Sequence, residues 1–528
     1  DYGRNETAQY DSTGFKSPAR SLGRAAGVLL GQYTFFPGKC FARGGCDLDT
    51  VGRYRPLPAT GKVKQGPTAE EKSRCPEIGE YQWPARDQSA CERSLRVHAG
   101  GFHDVPPPDP QHVDRAITEL LVSGGYPFTS VPKGFGEDSS LARCLREGVD
   151  PDPRAVADEV GVVRAVGLAP LDSTPGVPFH QLGNTNAQVL EHHRSFVEES
   201  VVSSLIAAAS VGERLFTMSP VELIDNGIRF PVRLFIKEEP HKRSKIESGK
   251  LRLISGVSLP DQIKERLLGG KQNDAEIDHW RTCTSRPGIG LDDDSLRDMA
   301  VVFQDMLAHG PVCSMDIKGW DWSVQEWELF MDAEARRRLM RADKGSCVDF
   351  FLRAQAYCVS RSVYVMPNGD MIAQLTPGVQ LSGSYWTSST NSRMRAGASL
   401  VARQMAGHPV GPTVHATMGD DSVERHLEGV KDALERLGHD VKDVKIGYQL
   451  SDIEFCSHAW RSDGLAIPLS AYKTLYRYLS HPPTSASYLD WYSQLSWVLR
   501  HFPRWRQYRD MCYARAERAI KSYENGAQ

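Results

Sequence analysis

The chain contains no CxxC pair, and its eleven cysteines are scattered over 528 residues. That excludes the common zinc ribbons and dithiol redox motifs and points to reduced thiols in a cytosolic protein rather than a disulfide framework. Cys40, Cys46, Cys75 and Cys91 form the one loose group, and their spacing matches no zinc module. No uninterrupted apolar run approaches the ~18 residues of a spanning helix, so membrane contact is expected through partners. There is no internal repeat. Positive charge is not in excess either: 63 Lys and Arg face 66 Asp and Glu, for a net charge of −3, which by itself argues against a phosphate-binding protein. The first residue is Asp1 with no apolar signal core behind it, a beginning that fits equally release from a longer precursor and a sequence trimmed at that point.

The distribution of charge changes that reading. Between Arg229 and Arg252 stand Arg229, Arg233, Lys237, Lys242, Arg243, Lys245, Lys250 and Arg252, against only Glu238, Glu239 and Glu247. A basic surface of this kind suits a polyphosphate or a nucleic-acid backbone. Residues 1–100 are rich in Gly, Pro, Arg and Ser and read as an extended, loop-rich segment draped over a larger body, partly disordered at its start. The run PPPDP at 106–110 punctuates the chain, and helical periodicity follows over 111–123 and 187–211. From 311 the texture turns to short apolar strands with acidic ends, PVCSMDIKGWDW and TVHATMGDDSVE, separated by a Gly/Ser/Thr-rich loop running into a helix. The last fifty residues read as basic, aromatic-rich helices.

Gly419-Asp420-Asp421 follows the β-prone run Val414–Met418, and carboxylates at a tight hairpin turn can hold divalent cations. Such a tripeptide alone is weak, but Asp316 ends a second apolar run and Asp321 follows five residues later. Two-metal phosphoryl transfer needs carboxylates from separate strands to hold ions ~3.5–4 Å apart. Asp316 and Asp420 are the natural bridging pair, with Asp421 in support.

The chain resembles the viral RNA-dependent RNA polymerases, which carry D-x4-D, S-G-x3-T-x3-N and G-D-D in that order. Here they are Asp316/Asp321, Ser382-Gly383/Thr387/Asn391 and Gly419-Asp420-Asp421. The wording of DIKGWDWSVQ, PGVQLSGSYWTSSTNSRMR, MGDDSVE and FCSH is closest to sobemoviruses and their barnavirus and polerovirus relatives, over residues 170–480. The resemblance implies roles for the flanks. Ser173, Thr174, Pro175 and Gly176 would guide template RNA together with Gly383; Lys237, Lys250 and Arg252 would contact the incoming triphosphate; Cys456, Ser457 and His458 would support the primer end. Asp321 and Asn391, with Ser382 and Thr387, would read the nucleotide ribose. Lys442 and Lys445 are both placed to protonate the leaving group, with Lys445 preferred. Arg500, Arg504, Arg506 and Arg509 are candidates for tracking product phosphates.

The implied architecture is an α+β right hand with an antiparallel palm sheet and a helical thumb. Residues 1–100 form an N-terminal extension, 101–310 the fingers, 311–335 palm, 336–374 a return to the fingers, 375–470 palm and 471–528 thumb. The implied activity is template-directed RNA synthesis from NTPs with Mg2+, replaceable by Mn2+, at membrane-associated replication complexes in the host cytoplasm. Implied partners are the RNA template and product duplex, NTPs, a genome-linked protein primer and a viral membrane-associated protein; Tyr2 and Tyr10 are remote candidates for priming. A reverse transcriptase and a non-catalytic RNA-binding scaffold are the alternatives. The Asp321/Asn391 pair speaks against the first and the intact carboxylates against the second.

Overall fold

The computed structural model describes residues 33–59, 64–411, 415–482 and 486–526. Tyr2, Tyr10 and Val414 fall outside them. Four sheets organise the described residues. The largest has the order β1 (Thr34–Ala42), β2 (Leu48–Arg53), β9 (Asp370–Gln374), β8 (Val363–Val365), β4 (Val232–Ile236) and β6 (Leu253–Gly256). Every pairing is antiparallel except β4 with β8. Its inner strands read VRLFI, VYV and DMIAQ, β-branched and apolar enough to be buried on both faces.

Residues 33–100 depart from the loop-rich expectation. They supply β1 and β2, the short β3 (Tyr81–Gln82), which pairs with β5 (His241–Lys242), and the helices Ala69–Arg74 and Gln88–Gly100. Pro37 obscured β1, yet an edge strand tolerates proline's missing N–H, and the β1–β2 register shifts between Phe35 and Lys39. Further on, Cys75 and Ile78 enter an apolar core with Leu475, Tyr488, Tyr508, Met511 and Cys512, and buried Glu71 pairs with buried Arg515. The N-terminal segment thus ties the large sheet to the C-terminal helices.

The four-stranded sheet that carries the acidic motifs has the order β10 (Ala416–Met418), β11 (Asp421–Arg425), β7 (Val312–Ile317) and β12 (Val441–Gly447), all antiparallel. Below it Phe303 packs edge-on against Trp460 and Phe455, at centroid distances of 5.0 and 5.9 Å. That core anchors the three-stranded sheet β13 (Glu454–Phe455), β14 (His458–Trp460) and β15 (Ala466–Pro468).

On the other side runs the helix Thr387–Met405, buried along nearly its whole length although half its residues are polar. The cost of burying Arg393 is offset by Asp332 at 2.6 Å and by Glu276, and Arg336 meets the other Asp332 oxygen at 3.1 Å. Removing one partner from such a buried network costs about 3–5 kcal/mol. The segment Asn186–Thr217 is long and apolar enough to pass for a membrane span, but 67% of its most apolar window is buried inside the protein.

Candidate active site

Strand β7 alternates buried Cys313, Met315 and Ile317 with exposed Asp316, so the period of the strand projects one carboxylate from an apolar floor. On β11, Val423 faces Ser314; the same register two residues further brings Asp421 level with Asp316. The β10–β11 hairpin closes through Gly419 and Asp420, with Met418 opposite Asp421 and Gly419 at φ +61°, a conformation that disfavours a side chain. The Thr387–Met405 helix props this hairpin from beneath. Ser392 accepts the Gly419 N–H at 3.0 Å, and Arg395 donates to Ser422 at 2.9 Å.

The three carboxylates repel one another. Desolvation and the Asp316 charge raise Asp420 above the ordinary carboxylate range, and desolvation followed by the charges of Asp420 and Asp316 pushes Asp421 up to about 6. Asp420 stands on an open tip, but the walls around it exclude enough water to act on its charge. Among the described residues no three His, Cys, Asp or Glu side chains converge into a ready-made metal cage. An all-oxygen donor set under mutual repulsion is nonetheless the chemistry that suits Mg2+, which takes one or two carboxylates and completes its shell with water and substrate phosphates.

Cations approach from two directions. Lys442 on β12 lies 3.7 Å from Asp316. From the large sheet comes Arg252, whose charge reaches both Asp321 and Asp420. Glu239 organises that side: it holds Arg252 at 3.1 Å, Lys237 at 3.4 Å and Lys473, from the helix Ala471–Tyr478, at 3.0 Å. These three cations outweigh its burial and keep its carboxyl down at about 2. Burial, then Arg252, lowers Lys237.

Asp321 sits in the short helix Trp320–Ser323, and Asn391 on the Thr387–Met405 helix donates Nδ2–H to it at 2.9 Å. Burial pushes Asp321 up to about 6, and the Asn391 hydrogen bond pulls the other way. These two residues, seventy apart in sequence, are brought together.

The remaining candidates contact neighbouring backbone or side chains. Ser382 Oγ accepts the Ser255 N–H at 3.0 Å, and Thr387 Oγ1 donates to the Leu381 carbonyl at 2.7 Å. A Cβ on Gly383 would meet the Ser255 carbonyl oxygen at 2.3 Å, and one on Gly176 the Ser258 Cα at 2.9 Å. Pro175 accepts the Leu259 N–H at 2.9 Å, which seats the 173–176 loop on the start of the helix Leu259–Asp278. Between these loops a cleft of about 200 Å³ is lined by Ser173, Gly383, Arg266 and Tyr385. Lys250 donates its N–H to the Lys245 carbonyl. Lys445 pairs with Glu454 at 2.6 Å. Cys456 and Ser457 form the β13–β14 turn, both at positive φ (52° and 56°), and the Cys456 backbone, facing the Asp421 carboxyl, draws it downward against the larger effect of desolvation. His458 Nδ1 bonds to the Cys456 carbonyl at 2.7 Å. Arg500 pairs with Asp293 at 2.9 Å, while Arg504 pairs with Glu77.

The sequence pattern does not single out Glu239 as an organiser, nor Lys473 or the prop Arg395. Lys473 and Arg395 act through contacts with segments remote in sequence, so spacing carries no signal; Glu239 stands out only as an acid inside a basic run.

The chain is similar to several known proteins. A family profile described as viral RNA-directed RNA-polymerase matches residues 164–477. The RNA-directed RNA polymerase of Mushroom bacilliform virus is 45% identical over 334 residues, covering 63% of this chain and 80% of that protein. The replicase polyprotein P2AB of Southern cowpea mosaic virus is 35% identical over 478 residues, covering 87% of this chain and 46% of the polyprotein. The chain therefore spans about half the length of such a polyprotein. Protein P1-P2 of Potato leafroll virus is 34% identical over 336 residues, covering 59% of this chain and 29% of that protein. Among solved structures, the Sicinivirus 3Dpol RNA dependent RNA polymerase matches with a TM-score of 0.61 at 14% identity, over 89% of this chain and 93% of that one, a likeness of fold.

Proposed function

The chain belongs to the viral RNA-directed RNA polymerases, and we propose from that premise that it extends RNA on an RNA template by in-line attack of a 3′-hydroxyl on the α-phosphate of a bound NTP. The 3′-oxygen to phosphorus bond forms, the bond to the β-phosphate breaks, and pyrophosphate leaves. One observation carries the reading: Asp316 and the Asp420-Asp421 turn meet on adjacent strands, with the cations of Arg252 and Lys442 reaching the same carboxylates. Asp316, Asp420 and Asp421 would hold Mg2+, with Mn2+ as a substitute; the metal would lower the pKa of the attacking hydroxyl and neutralise charge on the leaving phosphates.

Each side chain has a task in this scheme. Arg252 and Lys237, held in place by Glu239, receive the triphosphate and exchange their contact with Glu239 for phosphate oxygens. Asp321 and Asn391 meet the ribose 2′-hydroxyl. Lys442 delivers the proton to pyrophosphate; its place beside Asp316 supports it over Lys445, which Glu454 already engages. The loops of Ser173–Gly176 and Ser382–Gly383 pass the template along the cleft between them. In the right hand so formed, residues 33–100 bridge fingers and thumb, and the assignments of 101–310 and 336–374 to fingers, 311–335 and 375–470 to palm, and 471–528 to thumb stand as proposed. A protein primer and a membrane-associated viral partner fit relatives made as replicase polyproteins.

The test is incorporation of labelled nucleotide on a defined RNA, with and without primer, and with Mg2+ withheld. Metal-dependent, template-dependent synthesis is expected; incorporation that ignores either requirement sinks the reading.

A further inference from the structure

The amide of Asn391 has two ends of nearly the same shape, and only one orientation presents a donor to a ribose oxygen. Its neighbours are not interchangeable. Trp320 Nε1–H donates to Asn391 Oδ1 at 3.0 Å, while Asn391 Nδ2 donates to Asp321 Oδ1 at 2.9 Å. An indole N–H can only donate and an ionised carboxylate can only accept. Together they fix the amide with its oxygen toward Trp320, leaving the second Nδ2 hydrogen uncommitted.

Trp320 is itself held by a second buried group. Its ring, 3% exposed, stacks on His439 at a centroid distance of 4.5 Å and an interplanar angle of 20°. His439 is wholly buried; its Nε2 bonds to Glu328 at 2.5 Å and its Nδ1 bonds to the Ser323 hydroxyl at 2.8 Å. Ser323 Oγ also bonds to the Trp320 carbonyl at 2.9 Å. His439 lies in the turn between the helix Val430–Arg436 and β12. There the Lys318 N–H meets the Asp440 carbonyl at 2.9 Å.

We propose that Trp320 and His439 are positioning residues for ribose selection: the indole N–H sets the Asn391 amide one way round, and the imidazole beneath sets the indole. Neither touches substrate. The second Nδ2 hydrogen is thereby aimed at the 2′-oxygen before any nucleotide arrives. This rests on the reading of Asn391 as the ribose contact, and the experiment separates the two.

The ratio of kcat/KM for GTP over dGTP is measured on one RNA template in Mg2+ for the full chain and for Asn391→Ala, Trp320→Phe, His439→Phe and the double variant Trp320→Phe/Asn391→Ala. Trp320→Phe keeps an aromatic ring on His439 and removes only the N–H. Losing one neutral hydrogen bond predicts a ratio narrowed by about fivefold or more, through weaker GTP use with dGTP use little changed. The double variant is expected to narrow the ratio no further than Asn391→Ala alone, because both changes act through one amide. His439→Phe keeps a ring under Trp320 without its two anchors; it repeats the test by an independent change if Trp320→Phe fails to melt cooperatively.

If Asn391→Ala narrows the ratio while Trp320→Phe and His439→Phe leave it at the parent value, the positioning role is overturned and the ribose reading stands. Equal loss of both substrates in the Trp320 and His439 variants also overturns it, since that is a structural effect. If Asn391→Ala itself leaves the ratio unchanged, the ribose reading fails and the inference falls with it.

Discussion

Two carboxylate regions lie side by side on the palm and differ in how their charge is met. Around Asp321 the partners are buried, short-ranged and directional: Asn391, then Trp320, then His439. Around Asp316, Asp420 and Asp421 the nearest cations are long side chains open to solvent, with Lys442 62% exposed and Arg252 57% exposed. The first region is organised in the absence of any nucleotide, as the proposed ribose selection would require. The second carries mutual repulsion, which the proposed cation and triphosphate would relieve.

The largest expected effect tests the open region. Asp420→Asn removes a ligand while keeping shape, so incorporation should fall by more than about a hundredfold, the range seen when one preorganised electrostatic partner is lost. The melting temperature in metal-free buffer should stay level or rise, because a carboxylate raised by desolvation and by the Asp316 charge destabilises the fold when ionised. Activity within about tenfold of the parent would take Asp420 out of the metal site.

Next in size is the choice between lysines. A positioned general acid contributes about 10²–10⁴, so Lys442→Leu should lower single-turnover incorporation by about a hundredfold, and Lys445→Leu, which breaks the pair with Glu454, by only a few-fold. The reverse order would return the proton donor to Lys445 and leave Lys442 as a local counter-charge to Asp316.

Arg252→Ala comes third. One charge-assisted contact to phosphate is worth about 1.5–3 kcal/mol, so the KM for nucleotide should rise by at least about tenfold while RNA affinity measured in binding assays changes little. Glu239 keeps Lys237 and Lys473, so the local fold should survive. A uniform loss of RNA affinity with no change in KM would place Arg252 on the template strand.

The same contrast explains what was legible in the sequence. Asp316 and the Gly419 turn are legible from local pattern, an acid at the end of an apolar strand and a two-residue hairpin, whereas Asp321 and Asn391 stand out only through their match to the family's motif spacings. The membership of β1 and β2 in the large sheet is not legible, since β2 pairs with β9 over three hundred residues away, and no local period records that partner. Trp320 and His439 each look like ordinary core residues; their relation to Asn391 exists only once the strands and helices have assembled. The hydroxyls of Ser382 and Thr387, read from the sequence as serving the ribose network, the template backbone or the loop itself, bond to loop backbone in the structure, as Ser and Thr do where a chain turns sharply.

The smallest effect probes the buried region through stability. The Asp321 carboxyl is pushed up to about 6 in the folded chain, chiefly by burial, against ~3.9 in an unfolded chain. A carboxyl raised on folding gives its full stability below the unfolded value and loses it as pH climbs through the folded one. At pH 7.5 the parent therefore holds an ionised Asp321 at a cost of about 1–3 kcal/mol, while an amide at that position holds none and can still accept from Asn391. Asp321→Asn should accordingly melt higher than the parent at pH 7.5 in metal-free buffer. The gap should close between pH 6 and pH 4 as the parent's own carboxyl becomes neutral. GTP incorporation should drop in the same variant, so that the substitution stabilises the fold and weakens the enzyme together. A melting temperature lower than the parent's at pH 7.5, or a gap that does not change with pH, would mean that Asp321 is neutralised by a partner in the folded chain, and the distinction between the two carboxylate regions would collapse.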